Sequence, residues 1–213
     1  MRGISVCEPA LIKAAAICEH DARTATATEL ETLCSDVHML GNTAKELKNY
    51  PLAERFYKIL AEREPSANVD LRTGRYLHAD ILLDLNRFRE AAAELDAIAA
   101  NLDPRMTAVD VADLAWVQGV ARFQQGDAAA AIPFFQKSQL AGPLIHRQIR
   151  CEFEIFSLIR CECNDLAQKK FEEYLRVYKP AMASSRTSTL ASILTVPNTS
   201  KTTSRQGRKE DKK

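Results

Sequence analysis

Four alanines set the frame of this chain. Ala53, Ala91, Ala131 and Ala167 stand 38, 40 and 36 residues apart. Each is followed four residues later by a bulky side chain: Tyr57, Leu95, Phe135 or Phe171. Three residues further on come Leu60, Ile98, Ser138 and Tyr174. A spacing of four and then three keeps all three side chains on one face of a helix. A proline, Pro65, Pro104, Pro143 or Pro180, follows each set and closes the unit. A second amphipathic stretch precedes every alanine. One such pair cannot bury its apolar face alone, and stacked neighbours can. The period therefore predicts an all-α fold, an antiparallel helix-pair solenoid of about four repeats.

The apolar spacing places an N-terminal helix over residues 4–20, with Leu11, Ala14, Ala15 and Cys18 on one side and Pro9 in its first turn. A polar break at 24–28 follows, with Thr28 as a candidate N-cap. The pairs are expected at 29–47 with 51–64, 69–85 with 87–101, 107–125 with 127–140, and 146–162 with 165–178. Asn86, Gly126 and Asn164 are the turn residues suited to left-handed backbone. Residues 1–28 thus form a helix and linker, 29–180 the repeat domain, and 181–213 a tail. That tail holds twelve Ser/Thr among 33 residues and is expected to be disordered.

Net charge is +1, with a surplus of +5 on residues 181–213 and −4 on the rest. The body is not a basic surface of the kind nucleic acids require, and no specific nucleic-acid partner is expected. No apolar run reaches the length of a membrane span, so no membrane insertion is expected. Glu8 and Lys13 interrupt any secretory apolar region, and the chain is read as cytoplasmic. The six cysteines (Cys7, Cys18, Cys34, Cys151, Cys161, Cys163) contain no CxxC and are read as structural thiols. P-loop, GxGxxG, GxSxG and HExxH patterns are absent. His20, His38, His78 and His146 are scattered. His78, and the run of Glu152, Glu154 and Glu162 with Arg150 and Arg160, read as solvated helix faces. The expectation is a non-enzymatic protein without metal or cofactor.

The pattern resembles the tetratricopeptide-repeat (TPR) family over residues 29–180. Leu40-Gly41, Tyr50, Ala53, Tyr57 and Pro65 carry the likeness in the first unit, and Ala79, Leu82, Phe88, Ala91 and Leu95 in the second. Gly119, Gly126, Ala131, Phe135 and Pro143 carry it in the third, with Phe153, Phe156, Ser157, Ala167, Phe171 and Tyr174 in the fourth. Aligned on Ser157, the fourth unit needs a turn about two residues shorter than the others. Val37 and Ala115 stand where the family often has a large aromatic.

The resemblance implies a concave groove lined by the first helix of each pair. Carried over position by position, it offers His38, Met39, Asn42 and Lys45, then Tyr76, Leu77, Asp80 and Leu83. Trp116, Val117, Val120 and Phe123 follow from the third unit, and Glu154, Ile155, Leu158 and Cys161 from the fourth. Tyr76, Leu83, Trp116 and Phe123 would bury partner side chains, with Asn42, Asp80 and Glu154 orienting the ligand. Trp116 and Phe123 equally fit a core role. Leu77, Asp113 and Val117 replace the cations of the family's clamp for acidic peptides, so an apolar peptide or amphipathic helix is the implied ligand. Three roles follow: interaction scaffold or adaptor, chaperone for a secreted or aggregation-prone substrate, or regulatory sensor domain. Leu190, Ile193 and Leu194 in the tail share a helical face and could cap the last pair or enter the groove.

Overall fold

The computed structural model describes residues 4–63, 71–102, 106–178 and 185–195. Among them the chain is all-helical, with ten helices and no strand. In order these are α1 Ile4–Thr24, α2 Ala27–Glu46, α3 Tyr50–Arg63, α4 Leu71–Asp84 and α5 Phe88–Ala100. They continue as α6 Ala108–Gln125, α7 Ala128–Ser138, α8 Leu144–Arg160, α9 Asn164–Tyr178 and α10 Ser185–Thr195. From α2 to α9 each helix packs on the next; α1 lies on α2 and α3, and α10 on α8 and α9. The bounds of α2 to α9 fall within two residues of those the apolar spacing predicts.

Two local expectations change. α1 runs on to Thr24, and Thr26 rather than Thr28 caps α2. The cap is reciprocal: the Thr26 backbone N–H donates to Glu29 Oε2 at 2.8 Å, which closes a capping box. Residues 185–195 of the tail, expected to be disordered, form α10. Leu190 is the reason, because its side chain is wholly buried among Cys151, Ile155, Phe171 and Tyr174. Of the two placements open to this segment, it takes the one against the last pair.

The four hairpin turns are copies of one another. Lys48, Asn86, Gly126 and Glu162 have φ of 59°, 60°, 97° and 58°, and each lies five residues before its alanine. The next N–H reaches back to the carbonyl five residues earlier: Asn49 to Ala44, Arg87 to Leu82, Asp127 to Arg122 and Cys163 to Leu158, at 2.8–2.9 Å. This is a Schellman ending, which satisfies carbonyls left open by the helix terminus. The fourth turn has the same length as the others, so the shortened turn expected there is not needed. Lys48 and Glu162 hold a left-handed backbone that costs a side-chain-bearing residue about 1–2 kcal/mol. Lys48→Gly and Glu162→Gly should each stabilise the chain by about 0.5 kcal/mol, since glycine's entropy loss offsets part of the relief. Urea midpoints measure this; Gly126→Ala should move the midpoint the other way.

Small residues set the distance within the first three hairpins, while α8 carries Ile155 at the same place. A Cβ on Gly41 would lie 2.5 Å from Tyr57 Cε1, and one on Gly119 would lie 2.6 Å from Phe135 Cε1. Residues at the same sixteen-residue separation in the other hairpins are Ala79 with Leu95 and Ile155 with Phe171, all buried. The ring fills the space the glycine vacates, and where the ring is a leucine an alanine suffices.

Candidate functional site

Most of the expected binding residues come from α4 and α6. Tyr76 and Leu77 of α4 line a cavity of about 200 Å³ together with Ile98 of α5, Met106, and Asp110, Asp113 and Leu114 of α6. Its floor is aliphatic and its polar groups are one phenol and two carboxylates. Burial, then the Asp80 and Asp113 carboxylates, push the Tyr76 phenol up to about 12. Tyr76 therefore presents a neutral O–H to anything in the cavity.

Ion pairs between successive first helices border this place. Lys45 of α2 is held by Asp80 and lies 3.3 Å from Asp84, both of α4. Burial works against the Lys45 charge, but the two carboxylates outweigh it and raise the ammonium above its ordinary value. Further along, Asp113 of α6 pairs with Arg150 of α8. Arg150 is 3% exposed. Its Nη1 donates to the carbonyls of Ser138 (2.6 Å) and Ala141 (3.2 Å) in the turn between α7 and α8.

Tyr76, Leu83 and Trp116 are half-buried and pack on one apolar cluster that includes Leu114 and Val117. Val117 is buried and Val120 half-buried. Trp116 and Phe123 also join a ring cluster with Phe135 of α7 and Phe153 of α8, with centroids 5.0–6.3 Å apart. The Arg160 guanidinium lies over Phe123, 4.7 Å from its centroid. Both rings thus pack between helices while keeping an exposed edge. Asn42 turns toward its own hairpin, accepting from the Tyr57 hydroxyl at 2.7 Å, with His38 Nε2 at 3.3 Å.

Glu154 is elsewhere. It is 2% exposed, accepts from Gln136 (2.9 Å) and Gln139 (2.8 Å), and lies 3.2 Å from Lys170 Nζ of α9. It does not line the cavity. The reason is register. With a fourth turn of ordinary length, α8 aligns on Ile155 rather than Ser157, and the expected Glu154, Ile155 and Leu158 rotate into the packed side, while Cys161 falls at the C-cap, half-buried. Tyr76 and Trp116 each stand fifteen residues before their alanine, and the α8 residue there is Glu152.

That register exposes a second period, missed in the sequence reading. His78, Gln118 and Glu154 each stand thirteen residues before the alanine of their hairpin, and all three are buried and polar. His78 Nδ1 lies 2.8 Å from Glu94 of α5, and its Nε2 lies 4.0 Å from Glu54 of α3. Gln118 donates to Asp96 of α5 at 2.8 Å. α4, α6 and α8 therefore use this position to reach a second helix beside them, while α2 has Leu40 there. His78, Arg150, Glu152 and Glu154 are interior groups, not a solvated face.

No family model, curated protein or solved structure matches this chain. Among the described residues no group of three or more His, Cys, Asp or Glu could hold a metal ion. No described helix is long and apolar enough to cross a membrane. Cys18, Cys34 and Cys151 are buried, and burial pushes Cys151 up to about 12, far from a reactive thiolate.

Proposed function

We propose that the chain is a tetratricopeptide-like solenoid of about four helix pairs, capped by α1 and α10. In this reading it is a non-enzymatic scaffold that binds a peptide or amphipathic helix along its concave face. The observation that carries the reading is the cavity beside Tyr76 and Leu77. Half-buried Tyr76 and Leu77 of α4 line it, and Trp116, at the register of Tyr76 on α6, packs on the same apolar cluster. Ion pairs border it, as polar rims border hot spots. The repeated Schellman turns support the array, since identical turns at the alanine spacing give successive pairs the same geometry. The proposed ligand buries apolar side chains on Tyr76, Leu77, Leu83 and Trp116 and donates hydrogen bonds to Asp80 or Asp113.

The test is photo-crosslinking. A benzophenone side chain in place of Tyr76, which lines the same cavity, should capture a partner that the same probe at exposed Ala93 of α5 does not. Leu77→Asp should then weaken that capture by about 2 kcal/mol or more, roughly 30-fold, without shifting the melting curve. Undiminished capture by folded Leu77→Asp would overturn the site. Unfolding of that variant would place Leu77 in the core instead.

A further inference from the structure

α10 meets the end of the array through specific chemistry. Leu190 is wholly buried, and Ala191 and Leu194 pack beside it on the cluster of Cys151, Ile155 and Phe171. At the other end of α10, the Thr187 hydroxyl lies 2.9 Å from the Tyr174 hydroxyl, which donates to Glu152 Oε1 at 2.7 Å. Gln148 donates to the same Tyr174 oxygen at 3.0 Å. Arg186 Nη1 lies 3.8 Å from Glu152 Oε2, and its guanidinium lies 5.7 Å from the Phe153 ring centroid. Glu152 itself is 1% exposed. A carboxylate withdrawn from water to this degree is stabilised by cations and hydroxyl donors placed against it. α10 supplies both kinds of group, so the surface beneath it reads a sequence: a basic residue, with leucines four and eight positions later.

α10 is poorly built to stay helical without that surface. Six of its 11 residues are Ser or Thr, which are weak helix formers. Arg186 in its first turn opposes the helix dipole, and its last turn has no basic residue to offset the carbonyl end. A helix this short is marginal in water on its own. Its order is therefore drawn from docking, and a stronger helix with the same contact residues would displace it.

We infer that the end face of α8 and α9 is a second protein-binding site, for an amphipathic helix with the Arg-x-x-x-Leu-x-x-x-Leu pattern of Arg186, Leu190 and Leu194. α10 is its resident occupant in cis. The site is separate from the cavity beside Tyr76 and stands whether or not that cavity binds a ligand. Partners of this chemistry compete with α10 and, by displacing it, free the chain's own helix.

The experiment uses the full chain and a fluorescent peptide of residues 185–195 in which Ser188 and Ser192 are replaced by Ala to strengthen the helix. Leu190→Asp in the chain undocks α10 and leaves every receptor residue unchanged. The peptide should bind that variant about tenfold or more tighter than the wild type, because the wild-type site is mostly occupied. Arg186→Glu in the peptide should abolish the difference. Equal affinity for both chains, no binding to a helical Leu190→Asp chain, or full binding by the Arg186→Glu peptide would each overturn the inference. Should Leu190→Asp unfold, hydrogen exchange on the wild type decides. Excess peptide should accelerate exchange of the 185–195 amides, and no acceleration overturns the site.

Discussion

Arg150→Ala is expected to destabilise the chain by about 3 kcal/mol or more, the range found when one partner of a buried charged set is removed. The side chain is almost fully enclosed, and it ties three segments together. It joins Asp113 of α6 to the carbonyls of Ser138 and Ala141 in the turn that leads into α8. Truncation removes the donor to both carbonyls and opens the space the side chain filled. The larger part of the loss should lie with the carbonyls, because the Asp113 side chain is 44% exposed and can be rehydrated. Asp113→Asn leaves the enclosed Arg150 cation with only amide and carbonyl oxygens against it, and should cost about 1–2 kcal/mol, less than Arg150→Ala. Arg150→Lys should recover little, since a single ammonium lacks the planar fork that serves both targets. Urea unfolding followed by circular dichroism gives all three values. If Asp113→Asn cost as much as Arg150→Ala, the ion pair rather than the carbonyl anchor would hold the turn.

Arg150 also shows where sequence reading stops. Its neighbours on the helix are charged, and a run of Arg, Glu and Glu reads as a solvated face. Burial of that run depends on what α7, α9 and α10 bring against it, which helical periodicity within α8 does not contain. The helices themselves were legible because the alanine spacing recurs in every unit and the small-to-large pairing in the first three. Hairpin turns were legible at Asn86 and Gly126, whose types favour left-handed backbone, and illegible at Lys48 and Glu162, whose types do not. That gap shifted α8 by two residues and carried Glu154 to the wrong side. The spacing of thirteen from Glu154 to Ala167, shared by His78 and Gln118 with their alanines, was the available correction. Within the candidate site, Tyr76, Leu77 and Asp80 followed from the groove positions that the family resemblance implies for α4. Ile98 and Met106 come from outside the first helices, so phase on those helices could not find them. α10 was masked by its Ser and Thr content, although Leu190 and Leu194 already marked its buried side; Ile193, placed with them, is 44% exposed.

Gly119→Ala should cost about 1–3 kcal/mol, the usual range for forcing atoms into a packed core. The new methyl would meet the Phe135 ring 2.6 Å away. Phe135 is wholly buried, with Trp116, Phe123 and Phe153 around it, so it has little room to retreat. The second hairpin already contains the compensated form, because Ala79 and Leu95 occupy the equivalent places and are both buried. Phe135→Leu alone should destabilise by leaving a cavity. Combined with Gly119→Ala it should cost less than the two single changes added together, with a coupling of about 1 kcal/mol in favour of the double variant. Trp116 is the only tryptophan of the chain and its centroid lies 5.4 Å from that of Phe135. Its emission therefore reports the local packing while urea midpoints report the global cost. The single Gly119→Ala change should shift the emission, and the double change should return it toward the wild-type spectrum. Strict additivity would show that the ring moves aside freely, and small-to-large complementarity would then not be what sets the distance between α6 and α7.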